Sequence, residues 1–135
     1  MTRWSPERVR RLRWWTLGVL SMSLLLVSID NTIVNIALPT LQEELDASWA
    51  ELQWIVDAYA LAFAALLVTM GALGDRLGRE KLLRTGVIVF GLGSLGGSFS
   101  DSAAQLTATR ALMGVGASMI MPATLAIITN VFPLE

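Results

Sequence analysis

The chain has 135 residues, of which 54% are hydrophobic and 16% charged, so it is too apolar for an ordinary soluble domain, where roughly a quarter of the residues are charged. Its formal net charge of -1 excludes the basic excess of a nucleic-acid binder. It has no cysteine and no histidine, which excludes disulfides, thiolate chemistry, a Ser/His/Asp triad and an ordinary zinc site; we expect no metal, no cofactor and no enzymatic activity.

Four apolar segments separated by clusters of charge predict an all-α membrane protein. Each segment is close to the roughly 20 residues that a helix needs to cross a bilayer. The segments cover residues 14–38, 52–73, 82–100 and 104–131, and a basic arm of residues 1–13 precedes them. A cleavable signal peptide is the alternative for the first segment, but that segment is long, lacks an A-x-A cleavage site and is followed by three more.

The positive charges predict the orientation of these spans, because lysine and arginine near span ends are retained in the cytoplasm. The arm carries five arginines, and the connection between the second and third spans carries Arg76, Arg79, Lys81 and Arg84. The other two connections carry acidic residues and no lysine or arginine. We therefore expect a multi-pass protein of the plasma membrane with both termini in the cytoplasm.

Asp30 lies roughly 12 Å below the outer end of the first span, at about 1.5 Å per helical residue. An ionisable group at this depth is costly unless it faces a cavity or a partner. Asn31 and Asn35 lie about 100° and 140° around the helix from Asp30 and form a polar wedge with it. This wedge either lines a proton or substrate pathway, or is a structural cluster of interhelical hydrogen bonds.

Arg110 lies at a comparable depth in the fourth span, and since it keeps its charge it must face water or bind a carboxylate. Asp30 is the best-placed partner in this chain, and the two side chains would then share one polar cavity. The alternative is an arginine that extends to the outer interface. Asp57 lies three residues after Trp54, near the membrane surface, and is more simply explained as a solvated group.

Small residues in the last two spans predict close packing of helix backbones. They occur as Gly93-x-x-x-Gly97 in the third span and Gly114-x-x-x-Ser118 in the fourth. Without a hydrophobic force between helices in lipid, small residues allow the backbones to approach each other. We interpret these residues as structural.

The second connection contains the most specific string of the chain, Gly71-Ala-Leu-Gly-Asp75-Arg76-Leu-Gly78-Arg79-Glu80-Lys81. Its glycines permit a tight reversal, Asp75 can cap or attract a helix N-terminus, and the arginines can bind carbonyls or carboxylates. The string lacks the G-x-x-x-x-G-K-[ST] pattern of a phosphate-binding loop and the strand before it, which excludes nucleotide binding.

This string closely resembles the G-x-L-x-D-R-x-G-R-[KR] signature between the second and third helices of the major facilitator superfamily, with Glu80 in place of the last basic residue. Residues 29–39 are similar to the first-helix D-x-T-x-x-N-x-A-L-P signature of the fourteen-helix drug:proton antiporter branch. Residues 54–59 resemble its W-x-x-x-x-Y opening of the second helix, and residues 110–117 resemble the fourth-helix R-x-x-x-G-x-G-A signature.

The resemblance implies that residues 14–135 begin the N-terminal six-helix half of a proton-coupled drug exporter that works by alternating access. Arg110 would take part in proton transfer, and the segment around Asp30, with Asn31 and Asn35, would shape the central cavity. The conformational latch between the two halves would lie on the cytoplasmic side and consist of Gly71, Asp75, Arg76, Gly78 and Arg79. The implied partners are the lipid bilayer, protons, a small amphipathic or cationic substrate and the missing C-terminal helices, with no nucleic acid.

Four spans are about a third of such a transporter, so we expect this chain to be a truncated portion that does not transport by itself. Two alternatives stay open. One is a four-helix membrane protein for interaction or assembly without transport, and the other is a small dimeric multidrug exporter, which also uses a first-helix carboxylate. The string around Asp75 and Arg79 argues against both.

Overall fold

The computed structural model describes residues 6–132 and contains four α-helices in that part of the chain. They are α1 (Pro6–Glu44), α2 (Trp49–Leu77), α3 (Arg79–Ser98) and α4 (Ala103–Val131). The all-α fold predicted from the sequence is therefore confirmed. Residues 1–5 of the predicted basic arm and residues 133–135 at the other end lie outside the described residues.

Three of these helices are long and apolar enough to cross a membrane, over Leu12–Glu44, Trp49–Leu77 and Ala103–Val131. α3 is not among them, because it has 20 residues, begins with charged side chains and contains several glycines that lower its mean hydropathy. The predicted third span at 82–100 is thus a helix at the expected place, but a more polar one than α2 and α4.

α1 is longer than the predicted first span at both ends. Its first turns include residues 6–13 of the predicted arm, and its last turns continue through Pro39 to Glu44. Proline inside a helix removes one backbone hydrogen bond and still allows the chain to continue helically on the far side. The predicted span therefore ends where the apolar sequence ends, whereas the helix continues into polar sequence.

The beginnings of α2 and α4 are stabilised by serine caps. Ser48 Oγ accepts a hydrogen bond from the Glu51 amide at 3.3 Å, and Glu51 Oε2 accepts one from the Ser48 amide at 2.8 Å. At α4, Ser102 Oγ accepts from the Gln105 amide at 3.3 Å. These side chains satisfy amides that have no partner in the first turn of a helix, so both helices begin at defined positions.

α4 is the centre of the fold, because it packs along α2 on one side and along α3 on the other, while α1 contacts α4 and α2 over a smaller surface. Two glycines of α4 allow this. A methyl group added at Gly114 would overlap the Tyr59 carbonyl oxygen of α2, and one added at Gly116 would lie 2.6 Å from the Phe90 amide nitrogen of α3. The helix backbones therefore touch directly at these positions.

The small residues of α3 complete this contact. A methyl group at Gly93 would lie 2.6 Å from the Met113 side chain, and one at Gly97 would lie 3.4 Å from Thr109 Oγ1. The close packing predicted from the Gly93-x-x-x-Gly97 pattern is therefore confirmed, and it is made against α4.

Buried apolar side chains form two clusters in the described part of the chain. The larger one lies along the middle of the bundle and consists of Leu20, Tyr59, Leu82, Leu83, Phe90, Met113, Ala117, Ile120 and Ala123. The smaller one lies where α1 turns into α2 and where α4 begins, and consists of Ala47, Leu52, Ile55 and Ala103. Most of the larger cluster comes from α2, α3 and α4, so these three helices are the stable core.

We expect Gly114→Ala to destabilise the protein by about 1 to 3 kcal/mol, because an extra methyl group forces α2 away from α4. Thermal unfolding of the purified chain in detergent measures this. The matched control is Gly91→Ala on α3, where the added methyl group meets no atom within 4 Å and a gain of up to about 1 kcal/mol follows from helix propensity. An equal response of the two variants would contradict direct backbone contact at Gly114.

Candidate functional site

Asp30 of α1 and Arg110 of α4 form an ion pair, in which Arg110 Nη1 donates a hydrogen bond to Asp30 Oδ2. The Arg110 side chain is 2% exposed and the Asp30 side chain is 18% exposed. The pairing predicted from the equal depths of the two residues is therefore present. An arginine that extends to the outer interface is excluded by its burial.

Two further side chains contact the Arg110 guanidinium. The Tyr59 ring of α2 faces it, with Arg110 Cζ 4.4 Å from the ring centroid, and Met113 Sδ lies 4.0 Å from Nη1. Phe63 stacks parallel to Tyr59, with 6.3 Å between the ring centroids. The guanidinium thus lies between a carboxylate of α1 and an aromatic ring of α2.

Two buried polar atoms of this site have no hydrogen-bond partner among the described residues, namely Arg110 Nε and Tyr59 Oη. A buried donor without a partner destabilises a protein by about 1 to 3 kcal/mol, and such atoms are uncommon in folded proteins. Among the described residues, the site thus has unpaired polar atoms on its α2 and α4 side, and it is partly exposed on the side of Asp30.

The two asparagines beside Asp30 bond within their own helix. Asn31 Nδ2 donates to the Val27 carbonyl at 3.2 Å, and Asn35 Nδ2 donates to the Asn31 carbonyl at 2.8 Å. Asn35 is exposed and Asn31 is partly buried. Both amide nitrogens thus donate to backbone carbonyls one turn earlier on α1, which lie within their reach. Asp30 makes the ion pair between α1 and α4.

Asp57 lies outside this pair. Its Oδ2 accepts a hydrogen bond from Gln53 Nε2 at 3.0 Å, one turn earlier on α2, and its side chain is partly buried. Among residues 6–132, no group of three or more acidic side chains is placed to hold a metal ion.

The turn between α2 and α3 consists of one residue, Gly78, with φ of +102°. A residue with a side chain rarely adopts this conformation, so the tight reversal predicted from the glycines is confirmed at Gly78. Gly74 is instead part of α2, where it packs against Leu82. Gly71 lies on the α4 side of the same helix, and a methyl group there would be 3.7 Å from Pro122 Cβ.

Asp75 and Arg79 connect this turn to α4. Arg79 Nε and Nη2 donate to Asp75 Oδ1 at 3.2 and 3.0 Å, and Arg79 Nη1 donates to the Ala126 carbonyl at 2.9 Å. Asp75 therefore binds an arginine side chain rather than the amides at the start of α3, since only one residue separates the two helices and Asp75 lies one turn before Arg79. The Asp75 side chain is 65% exposed, and Arg76 is exposed as well.

A small cavity lies beneath this ion pair, between α2, α3 and α4. Its volume is about 200 Å³, and its lining residues are Gly71, Gly74, Asp75, Arg79, Leu82, Pro122, Ala123 and Ala126. Glu80, which departs from the family signature, points elsewhere and accepts a hydrogen bond from Arg84 on α3 at 2.5 Å.

Tyr59 is the site residue that sequence reasoning missed. It entered only as the end of the W-x-x-x-x-Y motif, and its contact with Arg110 depends on the register between α2 and α4, which hydropathy does not report. A usable signal was its position as the one tyrosine of the chain, inside an apolar segment, because a buried tyrosine hydroxyl needs a polar neighbourhood.

Comparisons with known proteins show which family this chain resembles. The family model of the Major Facilitator Superfamily matches residues 20–135. The chain is 48% identical over 120 residues to the methyl viologen resistance protein SmvA of Salmonella typhimurium, covering 89% of this chain and 24% of the relative.

Two other relatives also have names that refer to efflux or resistance. The chain is 46% identical over 128 residues to the multidrug efflux pump LfrA of Mycolicibacterium smegmatis, covering 95% of this chain and 25% of the pump. It is 43% identical over 120 residues to the puromycin resistance protein pur8 of Streptomyces alboniger, covering 89% and 24%. The chain thus spans about a quarter of the length of these curated relatives.

We expect the substitutions Asp30→Asn and Arg110→Gln to be non-additive in their effect on the free energy of unfolding. Asp30→Asn leaves a charged guanidinium buried without a carboxylate, which is the costlier single change, whereas Arg110→Gln leaves a carboxylate that is partly open. The double variant should be more stable than the sum of the two losses predicts, by about 1 to 3 kcal/mol. Unfolding of the purified chain in detergent measures this interaction, and simple additivity would contradict it.

Proposed function

The chain belongs to the Major Facilitator Superfamily, and from that premise we propose that it is the N-terminal part of a longer transporter that exports small molecules from the cell in exchange for protons. The observation that carries this proposal is the buried Asp30–Arg110 ion pair. Charged groups inside apolar helices are costly and mark ion or substrate pathways in membrane proteins.

Asp30 is the group that exchanges its partner in this proposal. Its carboxylate is open on one side and held by Arg110 on the other, so a proton or a cationic group of a substrate can compete with the guanidinium for it. Arg110 stays charged at every ordinary pH and takes part by changing its contacts. Because both events need the same carboxylate, binding of the proton and binding of the substrate are coupled.

The proposed substrate is a small amphipathic or cationic molecule. A carboxylate surrounded by apolar side chains attracts a positive charge attached to an apolar body, and Asn31 and Asn35 lie on the same helix beside Asp30. The names of two relatives refer to resistance to methyl viologen and to puromycin, which supports export of small molecules.

We assign the conformational latch to Gly71, Asp75, Arg76, Gly78 and Arg79. Support comes from two observations on this turn. Asp75 is largely exposed and available to another part of the transporter, and Arg79 holds the turn against Ala126 near the end of α4. The helix that carries Arg110 is thereby joined to the latch.

The proposed location is the plasma membrane, with both termini in the cytoplasm. Large apolar side chains of α1 are exposed along much of its length, which is the surface that a lipid bilayer or a neighbouring apolar helix contacts. They include Val19, Met22, Leu25, Leu26, Ile29, Ile33 and Ile36. The remaining partners of these helices are the C-terminal helices of the longer protein.

Export is tested with the full-length protein in inverted membrane vesicles and the fluorescent cationic dye ethidium. We expect dye accumulation when a proton gradient is imposed, and its loss when an ionophore dissipates the gradient or when Asp30→Asn is introduced. Membranes without the protein are the control. If the correctly inserted protein moves no dye under a gradient, the proposed proton-coupled export of cationic molecules is rejected.

We expect Asp75→Asn to abolish most of this export while insertion and abundance stay near wild type. A carboxylate that faces a helix N-terminus in another part of the transporter stabilises one conformational state by about 0.3 to 2 kcal/mol, and the change also weakens the hold on Arg79. Glu80→Gln is the matched control, because Glu80 pairs with Arg84 in the same i,i+4 geometry and both side chains are exposed. Equal export by the two variants would reject the latch.

A further inference from the structure

The Tyr59 ring lies against the buried cation of the site, and the exchange described above gives it no role. We propose that Tyr59 is a positioning residue, whose ring holds the Arg110 guanidinium when Asp30 is protonated or occupied by a cationic substrate. The transport part of this inference rests on the proposed function, whereas the stability part does not. The contact that carries it is the 4.4 Å separation between Arg110 Cζ and the ring centroid.

Arg110 needs a second partner because it stays charged where almost no water reaches it. Its side chain is 2% exposed, and its contacts among the described residues are Asp30, Tyr59 and Met113. A thioether sulfur is a weak acceptor, and within residues 6–132 Arg110 Nε has no hydrogen-bond partner. Once the carboxylate is neutral, the negative face of the aromatic ring is the remaining group that attracts the cation.

Packing fixes the position of the Tyr59 ring, so the ring stays beside Arg110 when the Asp30 carboxylate changes its partner. Tyr59 is 5% exposed, Phe63 stacks parallel to it one turn later, and its backbone carbonyl lies against Gly114, one turn after Arg110 on α4. The closest contact between α2 and α4 therefore sets the ring opposite the guanidinium. Arg110 Cζ lies over the ring of Tyr59, so the face of the ring, rather than the hydroxyl, makes the contact with the guanidinium.

No other charged group competes at this position within the described residues. Asp30 from α1 and Arg110 from α4 are the charges that act on the Tyr59 phenol, and Asn31 is its uncharged polar neighbour. Asp57 is two residues earlier on α2, about 200° around the helix, and bonds to Gln53. The charged residues of α3 lie in its first two turns, at the end near Gly78. The Arg110 guanidinium thus has the Asp30 carboxylate and the Tyr59 ring as its alternative partners.

A stability cycle tests the inference without transport, using the full-length protein in detergent. Tyr59→Leu and Tyr59→Phe are each compared in the wild-type and Asp30→Asn backgrounds, since asparagine reproduces the neutral carboxyl. We expect Tyr59→Leu to lower the unfolding temperature by about 2 °C or more beyond its wild-type effect when Asp30 is replaced. Tyr59→Phe keeps the ring and should have the same small effect in both backgrounds.

Phe63→Leu is the control for loss of aromatic packing, and its effect should not depend on the Asp30 background. If Tyr59→Leu does not fold, a polyfluorinated phenylalanine at position 59 keeps the shape and removes the negative face of the ring, and it should reproduce the dependence on Asp30. An equal effect of Tyr59→Leu in both backgrounds, or of the fluorinated and natural rings, would overturn the positioning role.

The pH profile of ethidium transport is the second readout. Without the ring, protonation of Asp30 leaves the buried cation unsupported, so Tyr59→Leu should move half-maximal transport to lower pH by about 0.5 to 1 unit, while Tyr59→Phe keeps the wild-type profile. Wild-type transport with an unshifted Tyr59→Leu profile would overturn the inference. Absence of wild-type transport would instead contradict the proposed function, and the stability cycle would still decide the role of Tyr59.

Discussion

The other contacts of this fold are arranged around a positive charge that cannot be neutralised, held at Arg110 inside a bundle of apolar helices. A guanidinium in such a place must be compensated by groups from neighbouring elements. Asp30 supplies the opposite charge from α1, and the Tyr59 ring supplies a polarisable face from α2. The second of these contacts is possible because Gly114 lets α2 approach α4 at the level of the site.

α4 connects the Asp30–Arg110 ion pair with the turn at Gly78. It carries Arg110 in its first half and the carbonyl of Ala126, which binds Arg79, near its end. Sixteen residues separate the two positions in the sequence, which corresponds to about 24 Å along a helix. Direct backbone contacts with α2 and α3 hold the helix between them. Arg110 and the carbonyl that binds Arg79 are therefore carried by the same helix, with Pro122 between them.

Hydropathy and charge were sufficient to predict the four helices, the reversal at Gly78 and the pairing of Asp30 with Arg110, because each depends on what lipid tolerates or on what one backbone position allows. They did not predict the full length of α1, since a helix continues into polar sequence after the apolar stretch ends. They also missed the contact of Tyr59 with Arg110. That contact depends on the register between α2 and α4. Glycine contacts between the two helices set this register, and the hydropathy pattern of one helix does not show it.

The distance in sequence between the two partners of the ion pair matters during synthesis. Asp30 precedes Arg110 by 80 residues, so at 5 to 20 residues per second the ribosome needs roughly 4 to 16 s to supply the second charge after the first. Throughout this interval the carboxylate of α1 has no arginine to bind, and a charged group inside an apolar helix is costly without a partner. The ion pair is therefore completed only when α4 packs against α1, so the helix that is made first depends on a much later helix for its charge partner.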